Sequence, residues 1–323
     1  MTSLLLRIIL SVFLLGLLVL SAGAADSARD LLAAGRVDDA ITALQGQISA
    51  RPENAESYNL LCRAYFSVGD WDHAVSNCDK AVRLEPNNSR YHLWLGRAFG
   101  EKASHSSFWT AAGLAKKLRV ELERAVALDP RNIDARTDLA EFYLEAPGIV
   151  GGGQDKARAA AATLATMNPA KAHWVNARIA EKNKDAARAE KEYQLELEAS
   201  HGSADAWLDI ALFYRRSGRL DKVEEAINHA GRAEVGSRPD VLVDASETLI
   251  RAGRNFPFAI QLLRRYLSSS MVEEAPAFKA HYLLGTVLEK QGDKQSAAQE
   301  YKASLALARN FGRAQEALNR LGQ

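Results

Sequence analysis

Apolar residues recur along this chain at helical spacing, in short bursts separated by regularly placed turn residues. Tyr58, Leu61, Cys62 and Tyr65 fall at i, i+3, i+4 and i+7, and after Gly69-Asp70 the same face resumes at Ala74, Cys78 and Ala81. That period marks two amphipathic helices joined by a tight turn. Gly69 suits the turn because glycine takes left-handed backbone without strain, and Pro86 halts the second helix because it lacks the amide donor needed to continue it. Setting Pro86 as position 32 of a unit places Pro52, Ala40 and Gly35 at equivalent points one unit earlier, so the helix pair is a repeat.

The run Ala55-Glu-Ser-Tyr58-Asn-Leu-Leu61-Cys62-Arg-Ala-Tyr65, followed by Gly69-Asp-Trp71-Asp-His-Ala74 and then by Ala81 and Pro86, closely resembles the tetratricopeptide repeat, a helix-turn-helix unit of about 34 residues. The resemblance covers about Ala25 to Gln323 and is weakest in the unit opening at Pro239. It implies an all-α fold, a right-handed α-solenoid of about seven repeats with a C-terminal capping helix, whose grooves bind other polypeptides. Small residues at positions 8, 20 and 27 let helix backbones approach, while large residues at 4, 7, 11 and 24 fill the space between them.

In that register the units span about 25–54, 55–88, 89–132, 133–169, 170–203, 204–238, 239–277 and 278–310, with a cap over 311–323. Unit 89–132 carries an insertion near Ala103 to Thr110, and unit 133–169 holds a glycine-rich stretch, Pro147-Gly148-Ile149-Val150-Gly151-Gly152-Gly153, expected to be a flexible inter-helix loop. Leu118 and Val223 stand at position 20 where the pattern wants a small residue, which predicts wider or shifted helix packing there. The long unit and the glycine-rich loop also look like exported bacterial repeat proteins.

The first 24 residues break the periodicity. Arg7 precedes an apolar run from Ile8 to Leu20 that ends at Ser21-Ala22-Gly23-Ala24, the layout of a secretory signal peptide with a small-residue cleavage site. The run is shorter than the roughly 18 to 20 residues that span a bilayer, so cleavage is expected, with an uncleaved inner-membrane anchor as the alternative. The expected location is periplasmic or secreted, with no stable membrane insertion after cleavage. Export raises the chance that Cys62 and Cys78 pair. Their positions, 8 and 24, are offset by about one helical turn from ideal antiparallel partners, and leave a bridge and two buried thiols both open.

Charge and chemistry narrow the function. Lys and Arg number 41 against 40 Asp and Glu, so the basic footprint of a nucleic-acid binder is absent. The glycine-rich stretch lacks phosphate-loop spacing, the seven histidines lack zinc spacing, and no acid, base and nucleophile set converges. The expectation is a non-enzymatic scaffold without cofactor or metal, with a protein or peptide partner. In the family the concave face is lined by first-helix positions 2, 5, 9, 12 and 13, which implicates Asn59, Arg63, Arg97, Glu141, Trp174, Arg178, Leu208, Arg215 and Arg216. Arginine at position 9 in three units loosely resembles grooves that clamp a peptide carboxylate, although Leu93 and Thr137 interrupt that pattern. Phe108-Trp109 in the insertion is expected to fold back over the repeat edge.

Overall fold

The computed structural model describes residues 28–233, 238–269 and 271–322, so the expected signal peptide lies outside the described residues. Those residues form an all-α solenoid without strands. A helical segment over 28–33 (α1) leads into α2 (Val37–Ala50), and successive antiparallel pairs follow: α3 (Ala55–Val68) with α4 (Trp71–Leu84), α5 (Ser89–Ser104) with α6 (Phe108–Leu128), and α7 (Ile133–Glu145) with α8 (Gln154–Ala165). The series continues with α9 (Pro169–Lys182) and α10 (Ala186–Ala199), α11 (Ala204–Arg216) and α12 (Leu220–Arg232), α13 (Val241–Ala252) and α14 (Phe256–Leu267), α15 (Ala277–Lys290) and α16 (Lys294–Leu307), then α17 (Gly312–Leu321).

The sequence starts these helices by a recurrent device. Asn54, Asn88, Asn132 and Asn168 cap first helices of successive units, and Asp70, Asp185 and Asp293 cap second helices, each side chain accepting an orphan backbone N–H. Within a pair, small residues bring the backbones together. Ala74 is fully buried among Cys62, Cys78, Leu95 and Ala98. Cys62 and Cys78 form a disulfide with a Cα–Cα separation of 5.2 Å, so the helices cross closely enough to close the one-turn offset.

Three local expectations are corrected. The packing around Leu118 is not widened. Its side chain faces Gly100, where an added Cβ would lie 3.5 Å from a Leu118 methyl, so a glycine on one helix absorbs the bulk on the other. The glycine-rich stretch is a closed turn: Gly148–Val150 forms one 3-10 turn, and the Gly153 amide donates to the Tyr143 carbonyl at 2.7 Å. Phe108 and Trp109 do not fold back. They are 74% and 83% exposed and pack edge-to-face on each other at the start of α6, because the insertion extends that helix to 21 residues and projects its first turn beyond the neighbouring helices.

The solenoid's two ends meet. Ala28, Leu32, Val37, Leu44, Leu60 and Ala64 from the first helices share one apolar cluster with Phe278, Ala308, Phe311 and Ala314 from the last. Across this seam Arg309 bonds Asp38 through both backbone N and Nε at 3.0 Å, and the Arg63 guanidinium forks onto Glu273 at 2.6 and 2.5 Å. Gly35 sits against α15 so tightly that a Cβ there would come within 2.5 Å of the Ala277 nitrogen.

Candidate functional site

First helices of successive units face inward, and where the ends meet they enclose a crevice. Trp94 on α5 forms its floor. The Arg63 and Arg97 guanidinium carbons lie 4.8 and 5.2 Å from the Trp94 ring centroid, cation–π geometry for both, and Phe66 meets the same indole edge-on at 5.5 Å. A cavity of about 430 Å³ opens here, lined by Arg63, Phe66, Trp94, Arg97 and Glu101 on one side and by Glu273, Glu274 and Lys279 on the other. A second cavity of about 440 Å³ shares Phe66, Glu101 and Lys279 with it and runs on past Trp71 and His105 to Phe311 and Arg313. Together they make an amphipathic trough between the first and last repeats.

Lys279 makes no ion pair among the described residues. Burial pushes its amine down from the usual lysine range, and the Arg313 charge adds to that shift, while Asp244, Glu247 and Glu101 oppose it. Arg97 is held by Asp138 at 2.6 Å.

The remaining expected groove residues sort into three groups. Asn59 is wholly buried, with neither amide atom hydrogen-bonded, so it cannot line an open groove. Arg178 sits 3.1 Å from Glu145, 3.6 Å from Glu181 and 3.9 Å from Glu141, and burial raises the Glu141 carboxyl against the Arg178 charge. Arg216 is drawn to Glu181 at 2.8 Å. Trp174 is half-buried beside Lys171, whereas Leu208 is core and the Arg215 Nε is buried without a hydrogen bond. The structure thus brings Arg63 and Arg97 together and leaves Arg178 in a separate ion-pair network.

Position 6 supplies inner-face groups that the sequence reading missed: Trp94, Asp138, Asp209 and Asp244. Burial, then the neighbouring Asp209, pushes the fully enclosed Glu196 carboxyl above the usual range, with the Lys171 charge opposing the shift. Asp244 is open by surface area yet hemmed in by the inner walls, and that burial, with Asp240 and Glu247, lifts its carboxyl to about 7. Glu273 was missed as well. It stands in the aperiodic stretch before Pro276, where no spacing signal operates; only the acidic pair Glu273-Glu274 distinguishes it. Among the described residues no three His, Cys, Asp or Glu side chains are placed to hold a metal, and no helix is long and apolar enough to cross a membrane.

Stacked helix pairs presenting a furrowed inner face define a helical-repeat scaffold. Family models described as tetratricopeptide repeat match residues 31–98 and 244–310, and the chain is a tetratricopeptide-repeat protein. It is 37% identical over 60 residues, 19% of its length, to cellulose synthase operon protein C of Escherichia coli strain K12, and that alignment spans only 5% of the relative. A tetratricopeptide-repeat protein of Thermus thermophilus is 19% identical, with 57% of this chain and 94% of that one covered at a TM-score of 0.47. One from Parabacteroides merdae ATCC 43184 is also 19% identical, with 83% and 99% covered at a TM-score of 0.40.

Proposed function

We propose that this protein is a non-catalytic scaffold of the bacterial cell envelope that binds a protein or peptide segment in its concave groove. The observation that carries the reading is the trough at the seam, where an aromatic floor of Trp94 and Phe66 lies beneath Arg97 and the unpaired Lys279. An amphipathic furrow of that kind suits a polypeptide, whose backbone and side chains offer both carbonyl acceptors and apolar surface. Two observations support export: the Arg7, apolar run and Ala22-Gly23-Ala24 layout, and the Cys62–Cys78 bridge, since disulfides persist in oxidising compartments.

A second reading is an accessory subunit of an envelope enzyme or transporter complex. The short likeness to a cellulose synthase operon protein and the exposed Phe108-Trp109 pair favour it, because paired exposed aromatics are typical anchors of protein interfaces.

Affinity purification from the native cells tests both. The bait should have the intact mass of a chain starting near Ala25, and its principal partner should be captured at least tenfold less by the Arg97→Gln, Lys279→Gln double variant at unchanged helicity. Equal capture by that variant sinks the groove reading, and loss of capture with Trp109→Ala instead installs the subunit reading. Recovery of the full-length chain in membranes alone replaces export with anchoring.

A further inference from the structure

The trough already holds a ligand-like group that belongs to the chain itself. Glu273 reaches across the seam from the segment between α14 and α15 and presents both carboxylate oxygens to Arg63, Nε to Oε1 at 2.6 Å and Nη2 to Oε2 at 2.5 Å. Both side chains are largely enclosed, at 13% and 15% exposure. This forked geometry is how arginine recognises a carboxylate with both strength and direction.

The segment is built to deliver that carboxylate. The Tyr266 hydroxyl accepts the Val272 amide at 3.0 Å and donates to the Ala275 carbonyl, so one phenol pins the backbone on both sides of Glu273-Glu274. Ser269 is tied to the Tyr266 carbonyl at 2.8 Å, and Ala275 and Pro276 are buried. A turn closed by the Ala275 amide donating to the Val272 carbonyl at 3.3 Å therefore sets Glu273 against the trough wall, with its acid on the arginine and the Trp94 face beneath. Glu274 stays exposed at the cavity edge, and Lys279 remains unpaired within it.

We propose that the Arg63–Trp94–Arg97 platform is a receptor for an acidic peptide segment, and that Glu273 is a resident competitor which such a ligand must displace. The inference rests on the peptide-groove reading above. A ligand carboxylate takes over the Arg63 fork, a second acidic group meets Arg97 or Lys279, and release of Glu273 frees one tie across the seam. An intramolecular competitor held at high effective concentration raises the apparent dissociation constant without touching the contacts the ligand makes. Only ligands with several acidic contacts then compete, which makes the segment a selectivity filter.

The probe is a fluorescein-labelled peptide, Met-Val-Glu-Glu-Ala-Pro, the chain's own residues 271–276. Titrated by fluorescence anisotropy with the full folded chain, it should bind the Glu273→Ala variant at least tenfold more tightly than the wild type. Adding Arg63→Gln to that variant should remove the gain, and a probe with both glutamates replaced by glutamine should not respond. Glu273→Gln, which keeps the side-chain shape, provides the same comparison if the alanine variant is poorly folded. Equal, weak binding by wild type and both Glu273 variants overturns the proposal and reduces the pair to a lock on the seam. Tight binding in the Glu273 variants together with undiminished partner capture by Arg97→Gln, Lys279→Gln keeps the competitor but discards the groove as the partner's site.

Discussion

At the scale of single residues, the shape of this protein is set by where a side chain is missing. Ala74 lies at zero exposure between Cys62, Cys78 and Leu95, and its position was legible because the pattern demands a small residue where two helix backbones approach. Replacing it with leucine inserts three heavy atoms into a filled space, so Ala74→Leu should cost about 1 to 3 kcal/mol. Chemical denaturation of the variant measures it, and a midpoint equal to the parent's would mean that the crossing has slack. The glycine at Gly100 shows the limit of such reading: Leu118 looked like a violation until the facing residue was known. Asn59 fails for a similar reason. Its position promised an open face, but a polar amide read from one helix says nothing of what the neighbouring elements lay over it.

At the scale of elements, turns and helix stops were the most legible features, since Gly69 and Pro86 act within a few residues of themselves. Contacts between paired helices were half legible. The sequence excluded zinc spacing for the histidines but did not show that His92, His173 and His281 each bond a glutamate on the second helix of their unit: Glu121 at 2.5 Å, Glu192 at 2.9 Å and Glu300 at 2.7 Å. The bridge recurs because the same two positions face one another in every unit. For His92, burial opposes the charged ring, but the Glu121 carboxylate and the Pro86 carbonyl outweigh it and hold the pKa above the usual histidine value. A raised folded-state pKa means the contribution is complete below about 6.5, the unfolded value, and is lost as pH climbs through the folded one. His92→Gln should therefore lower stability by about 1.5 to 3 kcal/mol at pH 5.5 and by clearly less at pH 9. Urea titrations at the two pH values read the difference; a gap that widens with pH would contradict the bridge.

At the scale of the molecule, the solenoid was legible and its closure was not. A repeat signature records how each unit packs on the next, whereas the Asp38–Arg309 and Arg63–Glu273 pairs join residues separated by 271 and 210 positions. Gly35 is the tightest point of that closure. It has a left-handed backbone, φ 69°, in addition to its close approach to Ala277, so Gly35→Ala should strain the turn and push the two ends apart. Small-angle scattering should show a larger radius of gyration with helicity retained, and an unchanged radius would mean that the seam tolerates the methyl. Closure also changes how the array comes apart. A linear row of repeats exposes two outermost units that open first, with loss of structure spreading inward from each. Here the outermost units bury apolar surface on one another, so neither is terminal in the energetic sense. No unit can open without giving up contacts on two sides, and fraying from the ends is replaced by a more cooperative transition that must breach the seam before it can spread.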